Sequence, residues 1–332
     1  MGGSSFDDDW ELTYPNNEGL TLVLVGRTGN GKSATANSII GKKVFKSDYS
    51  SSGVTSRCER HTTELKDGQT VNVIDTPGLF DISAESEFIG KEIVNCIKLA
   101  KDGIHAVLVV FSVQSRFSKE EETALRSLQM LFGEKIADYM IVVFTGGDVL
   151  ENRKKTLQDY LGSSCPEPLK DILSLCKNRC VLFNNETEDE MKQSEQVQQL
   201  LSFVNTILAQ NGGRPYSDEL FAELKKGAME LHNQQRQVNL QGQEILEYRK
   251  QAKQEYDDQL KRISEMVESK LKAATVRLEQ QLKEEQAARL KAQENANKEI
   301  RELREQLFKA EENANKAREE LRKHGENRCA IL

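Results

Sequence analysis

Beyond Pro215 the chain has no proline, and it has only five in all of its 332 residues. Nothing in the last third therefore interrupts a helix, and Glu, Lys, Gln, Arg, Ala and Leu dominate there, the composition of long helices. That third also accounts for the low hydrophobic content of 37% and the high charged content of 30%. An excess of basic charge is missing: the formal net charge is -7. This argues against a general nucleic-acid binder, which needs a positive field. Long apolar runs are missing as well. Ala106–Phe111 and Met140–Phe144 are far too short to cross a bilayer and read as core strands. The six cysteines are scattered, and Cys176-x-x-x-Cys180 has no second pair or histidine couple near it. They read as free thiols in a reducing compartment. Asp7-Asp8-Asp9 stands where a secretory leader needs basic residues, and Phe6 takes the Ser/Thr position of a myristoylation signal behind Gly2. Neither modification is expected.

What is present is organised around Leu20–Ser33, LTLVLVGRTGNGKS, an apolar strand running into Gly26-x-x-x-x-Gly31-Lys32-Ser33. Glycines let this backbone fold tightly and turn successive N–H groups toward phosphate oxygens. The lysine places a cation between β- and γ-phosphates, and the serine offers a hydroxyl to Mg²⁺. Gly26, Arg27, Thr28, Gly29, Asn30, Gly31, Lys32, Ser33 and Ala34 are the candidate phosphate-binding residues.

From Leu20 to about Gln210, strands alternate with helical patterns. Strands are expected at Leu20–Val25, Cys58–Leu65, Val71–Ile74, Ala106–Phe111, Met140–Phe144 and Cys180–Phe183. Helices are expected at Lys32–Ile40, Ser86–Ala100, Lys119–Phe132, Lys154–Leu161, Pro168–Cys176 and Lys192–Gln210. The alternation implies an α/β fold, a doubly wound and mostly parallel sheet with its ligand at the carboxyl ends of the strands. Asn211-Gly-Gly-Arg-Pro215 breaks the pattern. The expected organisation is a mobile arm at 1–18, a nucleotide-binding domain at 19–212, a helical region at 213–324 with Gly227 and Gly242 as bends, and a tail at 325–332. Within the helical region Ile300, Leu303, Leu307, Ala310, Ala314, Ala317 and Leu321 repeat at 3-4 spacing, as coiled-coil core positions do. An octapeptide recurs at Lys291–Lys298 and Lys309–Lys316, so both copies face the same way on a straight helix. Self-association as a coiled coil and a single helix, solvated or folded back, both stay open.

Asp75-Thr76-Pro77-Gly78 follows the strand Val71–Ile74. Asp75 can hold Mg²⁺ through water, and the Gly78 N–H can sense a γ-phosphate. Between the two motifs lies Ser51–Ser56, in which Ser52 is a candidate nucleotide contact and Thr55 can complete the Mg²⁺ shell. Thr145-Gly146-Gly147-Asp148 follows Met140–Phe144. A carboxylate there accepts from the N1–H and N2–H₂ donors of guanine, a pair adenine does not offer; the alternative is a helix cap. After the last strand, the side-chain amides or backbone N–H groups of Asn184 and Asn185 can meet the guanine O6; the alternative is an ordinary loop turn.

The set GRTGNGKS, SSGVTSRC, DTPGLFD, FTGGD and VLFNNE resembles the AIG/IAN/GIMAP family of immunity-associated GTPases, related to septins and Toc GTPases. Its Thr-Gly-Gly-Asp form points to the plant branch. The segment from Gly103 through Arg116 to Glu121 is similar to that family's own box between its third and fourth motifs. The resemblance covers about 20–210 and implies a P-loop GTPase fold, GTP or GDP with Mg²⁺, and a membrane-linked role in stress or defence. It makes Gly29 to Ser33 phosphate and Mg²⁺ residues, Thr55 the switch I threonine, Asp75 and Gly78 the switch II pair, and Asp148 and Asn185 guanine contacts. Two departures stand out. Thr145 and Gly146 replace the usual Asn-Lys, and Leu79 follows Gly78 where many Ras-like proteins carry a water-orienting glutamine. Slow hydrolysis is expected unless a partner supplies charge, and Arg116 of a second copy is the candidate.

The chain closes on Cys329-Ala-Ile-Leu332, a pattern for geranylgeranylation of Cys329. Arg318, Arg322, Lys323 and Arg328 add modest basic charge nearby. The expectation is a prenylated GTP switch on the cytosolic face of an endomembrane such as the endoplasmic reticulum, or of the plasma membrane. Its G domains would pair according to nucleotide state, and a helical stalk of up to ~160 Å would carry them. The alternative is a non-catalytic GTP-dependent scaffold or tether. An ATP-using enzyme is the remote third reading.

Overall fold

The computed structural model describes residues 19–47, 55–66, 68–79, 86–100, 102–162, 165–223 and 243–329. The arm expected at 1–18, Ser52, the bends at Gly227 and Gly242, and residues 330–332 lie outside them. Leu20–Val25 (β1) is buried along its whole length. A strand apolar on both faces needs cover on both, which a parallel sheet between helix layers supplies. The sheet has six strands in the order β2-β3-β1-β4-β5-β6. The others are Glu59–Glu64 (β2), Thr70–Asp75 (β3), Ala106–Ser112 (β4), Met140–Thr145 (β5) and Cys180–Phe183 (β6). β2 runs antiparallel to β3, and the remaining pairs are parallel. Leu22 of β1 lies opposite Val73 on one side and Ala106 on the other.

The helices are Lys32–Ile40 (α1), Ser86–Leu99 (α2), Lys119–Phe132 (α3), Gly147–Asn152 (α4), Leu157–Leu161 (α5), Glu167–Leu175 (α6) and Glu190–Gln210 (α7), with a 3₁₀ turn at Glu134–Tyr139. The chain leaves β1 toward β3 but crosses back from β3 to β4. Right-handed crossovers therefore put α1 on one face, with α7, and α2 and α3 on the other. The crevice where the order reverses lies between β1 and β4, and the loop Gly26–Gly31 opens there. This is the doubly wound, mostly parallel sheet that the alternation of strands and helices implied. One expected helix differs. Lys154–Leu161 does not begin at Lys154, whose φ of 52° is left-handed. The helix starts instead at Leu157, behind a Thr156–Asp159 capping box.

Compactness does not stop at residue 212, where composition changes. The first unit runs to Ala274. Tyr216 pairs with Ile104 as a short bridge, and its ring stacks edge-on against Phe132, Tyr139 and Phe221. The last helix, Gln243–Cys329 (α8), contributes Ile263 and Val267 to the same core. The second unit, Thr275–Leu332, holds the rest of α8. Leu290, Ile300, Leu303, Leu307 and Phe308 are exposed on it. Cys58, Cys96, Cys165, Cys176 and Cys180 are all free, and no described helix is long and apolar enough to cross a membrane.

At the start of β4 the His105 Nδ1 accepts the Thr21 N–H at 2.9 Å, a bond only the neutral imidazole can make. Burial holds the ring below its ordinary value of 6.5, against a weaker upward pull from Asp102. A base with a depressed folded pKa contributes fully above its unfolded value and loses that contribution as pH falls. Urea titrations of wild type and His105→Gln are thus expected to differ by a constant amount above about pH 7. The difference is expected to shrink as pH drops below 6.5.

Candidate functional site

The first strand delivers a loop whose backbone only glycine permits. Gly26 has φ +150°, and a Cβ there would lie 2.5 Å from the Val110 carbonyl oxygen of β4. Gly29 and Gly31 are left-handed at +86° and +87°. Between them Asn30 is buried, and its Nδ2 donates to Val110 O at 2.9 Å and to Glu121 Oε1 at 3.0 Å. The Lys32 ammonium reaches back over the loop to Gly26 O at 2.9 Å and Arg27 O at 3.1 Å. Arg27, Thr28 and Gly29 stay exposed, while Ser33 and Ala34 are half-buried at the start of α1. The result is a ring of N–H groups at a helix N-terminus, with a cation across its mouth, which is a site for phosphate.

Three residues far apart in sequence converge beside it. Ser33 Oγ donates to Asp75 Oδ2 at 2.5 Å, Thr55 Oγ1 donates to the same oxygen at 3.2 Å, and the two hydroxyls are 3.0 Å apart. The other carboxylate oxygen, Asp75 Oδ1, is buried with no hydrogen-bond partner among the described residues. Burial raises the Asp75 carboxyl above its usual range, opposed by the Ser33 hydroxyl, the Lys32 ammonium and the Thr55 hydroxyl. An orphaned buried carboxylate oxygen beside two hydroxyls is a hard oxygen donor set, and it fits Mg²⁺. Asp75 is fixed from behind, because Thr76 Oγ1 donates to the Leu24 carbonyl of β1 at 2.7 Å.

Gly78 is half-buried. Leu79 turns away from the loop and is 3% exposed, packed with Val23, Val25, Ile93, Cys96 and Ile97 around an apolar void of about 20 Å³. Arg116 is exposed in the loop between β4 and α3. That loop is anchored by Phe117 against Phe111, with ring centroids 5.5 Å apart.

On the far side of the crevice Thr145 Oγ1 donates to the Asn30 carbonyl at 2.8 Å, tying the end of β5 to the phosphate loop. Gly146 occupies the usual lysine position with φ +85°, and a Cβ there would sit 2.9 Å from Val113. Gly146 is the N-cap of α4, so Asp148 lies in the first turn and caps nothing. Its half-buried carboxylate has no hydrogen-bond partner among the described residues. Asn184 is buried and Asn185 half-buried in the loop after β6. The Asn185 amide is engaged with α1: Nδ2 donates to Thr35 Oγ1 at 3.1 Å and Oδ1 accepts from Ser38 at 2.8 Å. Cys329 is the last residue of α8, and its side chain is outside the described residues.

Two supporting residues escaped the sequence reading. Glu121 is 4% exposed and carries Asn30 on Oε1, while its Oε2 accepts the Ser118 N–H at 2.9 Å. The Ser118-x-x-Glu121 capping box was a signal for it. Gln196 on α7 holds Asn184, and nothing in its local pattern marks it.

Residues 20–237 match the model of the AIG1 family. Similar chains include immune-associated nucleotide-binding protein 9 of Arabidopsis thaliana, 59% identical over 301 residues, which are 90% of this chain and 88% of that one. Immune-associated nucleotide-binding protein 7 of the same plant is 48% identical over 264 residues, 79% of this chain and 85% of its own. Among solved structures the chain is similar to A. thaliana Toc33 in complex with GDP and Mg²⁺, at 19% identity and a TM-score of 0.44, covering 60% of this chain and 88% of that one. By the family match and these identities along most of its length, the chain belongs to the AIG1 family.

Proposed function

We propose that this chain is a guanine-nucleotide switch that binds GTP and GDP with Mg²⁺ and hydrolyses GTP slowly. The observation that carries the reading is the Ser33–Thr55–Asp75 cluster with its orphaned oxygen, set beside the Gly26–Lys32 loop. Bound Mg²⁺ would neutralise phosphate charge there. The chain does the rest: loop N–H groups and Lys32 grip the phosphates, Ser33, Thr55 and Asp75 hold the ion, and the Gly78 N–H reads the γ-phosphate. Asp148 reads N1–H and N2–H₂ of guanine, and the loop after β6 reads O6. The names of the Arabidopsis relatives support nucleotide binding and a role in defence.

Slow hydrolysis follows from Leu79, which is buried in the core and has no group to orient water. Pairing of two G domains would let Arg116 of each copy reach the other's γ-phosphate. Single-turnover hydrolysis is therefore expected to rise with wild-type concentration and to stay flat and low in Arg116→Ala. Equal rates for the two proteins at high concentration would exclude Arg116. A near-zero rate at every concentration would favour the second reading, a non-catalytic GTP-dependent scaffold, which the burial of Leu79 also supports.

The remainder of α8 fits self-association. Ile300, Leu303 and Leu307 are exposed on one stripe, and a parallel in-register pair would set Glu299 against Arg304 of the other copy. A geranylgeranyl group on Cys329 would place the assembly on the cytosolic face of a membrane, and pairing would double the lipid. Cys329→Ser is expected to move the protein from the membrane pellet to the supernatant on fractionation of the expressing cells. An unchanged pellet would contradict the anchor.

A further inference from the structure

The turn that opens the loop after β6 is tied to protein through Asn184 and Asn185. Gln196 is 8% exposed and grips the Asn184 residue from both ends: Oε1 accepts the Asn184 N–H at 3.0 Å and Nε2 donates to the Asn184 carbonyl at 3.3 Å. Asn184 Oδ1 accepts the Glu186 N–H at 3.1 Å. The Asn185 amide is spent on Thr35 and Ser38. Gly147, from the loop that carries Asp148, packs directly on this turn, and a Cβ there would lie 3.0 Å from the Asn184 nitrogen and Cβ. Within Asn184–Glu186 the Asn185 N–H is the backbone donor without an acceptor among the described residues.

A backbone N–H discriminates purines by its polarity. It can donate to a carbonyl oxygen at position 6, as in guanine and hypoxanthine, and it meets another donor in the amino group of adenine. We propose that Gln196 is a specificity-determining positioning residue: by holding Asn184 to α7 it keeps the Asn185 N–H available for O6. Asp148 reads the N1 and N2 edge, so the two sides of the base are checked independently. Nothing on Gln196 touches the nucleotide; it acts through the peptide it holds. The proposal rests on the reading of this crevice as a guanine-nucleotide site.

The test is competitive binding of GDP, IDP and ADP to the full-length protein in Mg²⁺ buffer. Gln196→Met, close in volume, is expected to weaken GDP and IDP together by about tenfold, one hydrogen bond's worth. ADP is expected to stay within about twofold, so the GDP-to-ADP ratio falls while the GDP-to-IDP ratio holds. Gln196→Glu keeps an acceptor for the Asn184 N–H and is expected to restore most of the GDP-to-ADP ratio. Equal weakening of all three nucleotides, or no change in the ratio, would reduce Gln196 to a packing role and overturn the proposal. Amide exchange on the wild type gives a check that needs no variant. The Asn184 N–H is expected to be slow with and without GDP, and the Asn185 N–H to become protected only with GDP; the opposite pattern would overturn the proposal. Absence of GDP binding by the wild type is a different failure, since it removes the functional reading itself.

Discussion

Asp148→Asn should weaken GDP binding by about 100-fold or more and move the preference toward xanthosine diphosphate. The ionised carboxylate can accept two donors from guanine, and hydrogen bonds to a charged group contribute about 1.5–3 kcal/mol each. Two of them are worth at least about 3 kcal/mol, or two powers of ten. Asn presents one donor and one acceptor, which suits the oxygen that xanthine carries at position 2. The effect is expected to be large because Asp148 works without the neighbouring lysine of the usual motif. Gly146 stands there in a left-handed conformation against Val113, so position 146 offers no side chain to share the load. Calorimetric titration of both diphosphates into wild type and variant reads the exchange directly. Retention of GDP affinity by the variant would remove Asp148 from base recognition.

The second large effect is at Leu79. Leu79→Gln, which puts back the residue many GTPases carry after the switch II glycine, should lower stability by about 3 kcal/mol and leave hydrolysis no faster. The side chain is 3% exposed in a wall of Val, Ile and Cys. The substitution removes apolar contacts and buries an amide with nothing to bond. For a unit of this size that is a fall of about 6–12 °C in melting temperature. A stable variant with accelerated turnover would show instead that the side chain turns out toward the nucleotide.

The parts of this protein written in short contiguous patterns were legible. LTLVLV can only be an interior strand, and the glycine spacing after it dictates the loop geometry that follows. Ser33, Thr55 and Asp75 were chosen by motif; the pairing of β1 with β3 sets Asp75 beside Ser33, and Thr55 meets the same carboxylate from the segment before β2. What resisted reading was set by contacts across the fold. The composition change at 212 is real, yet Tyr216, Leu220, Phe221, Ile263 and Val267 join the core from short apolar stretches and widely spaced helical positions in a polar region. The helix expected from Lys154 begins later, at Leu157, because the Thr156–Asp159 capping box sets its start. From sequence Asn185 could meet the base through its side-chain amide or its backbone N–H, and local pattern does not choose between them; the contacts of the amide with Thr35 and Ser38 of α1 are made across the fold. Gln196 is one of several glutamines on α7, and only the return of that helix past β6 selects it.

The claim on which everything else depends is that the β1 loop with Lys32, Ser33, Thr55 and Asp75 holds a guanine nucleotide together with Mg²⁺. Equilibrium titration of the purified full-length protein with GDP, in Mg²⁺ buffer and again with the metal chelated, puts it to the test. Saturable binding of one GDP per chain, loosened when Mg²⁺ is removed, is the expected result. No binding in either buffer, or binding indifferent to chelation, would contradict it.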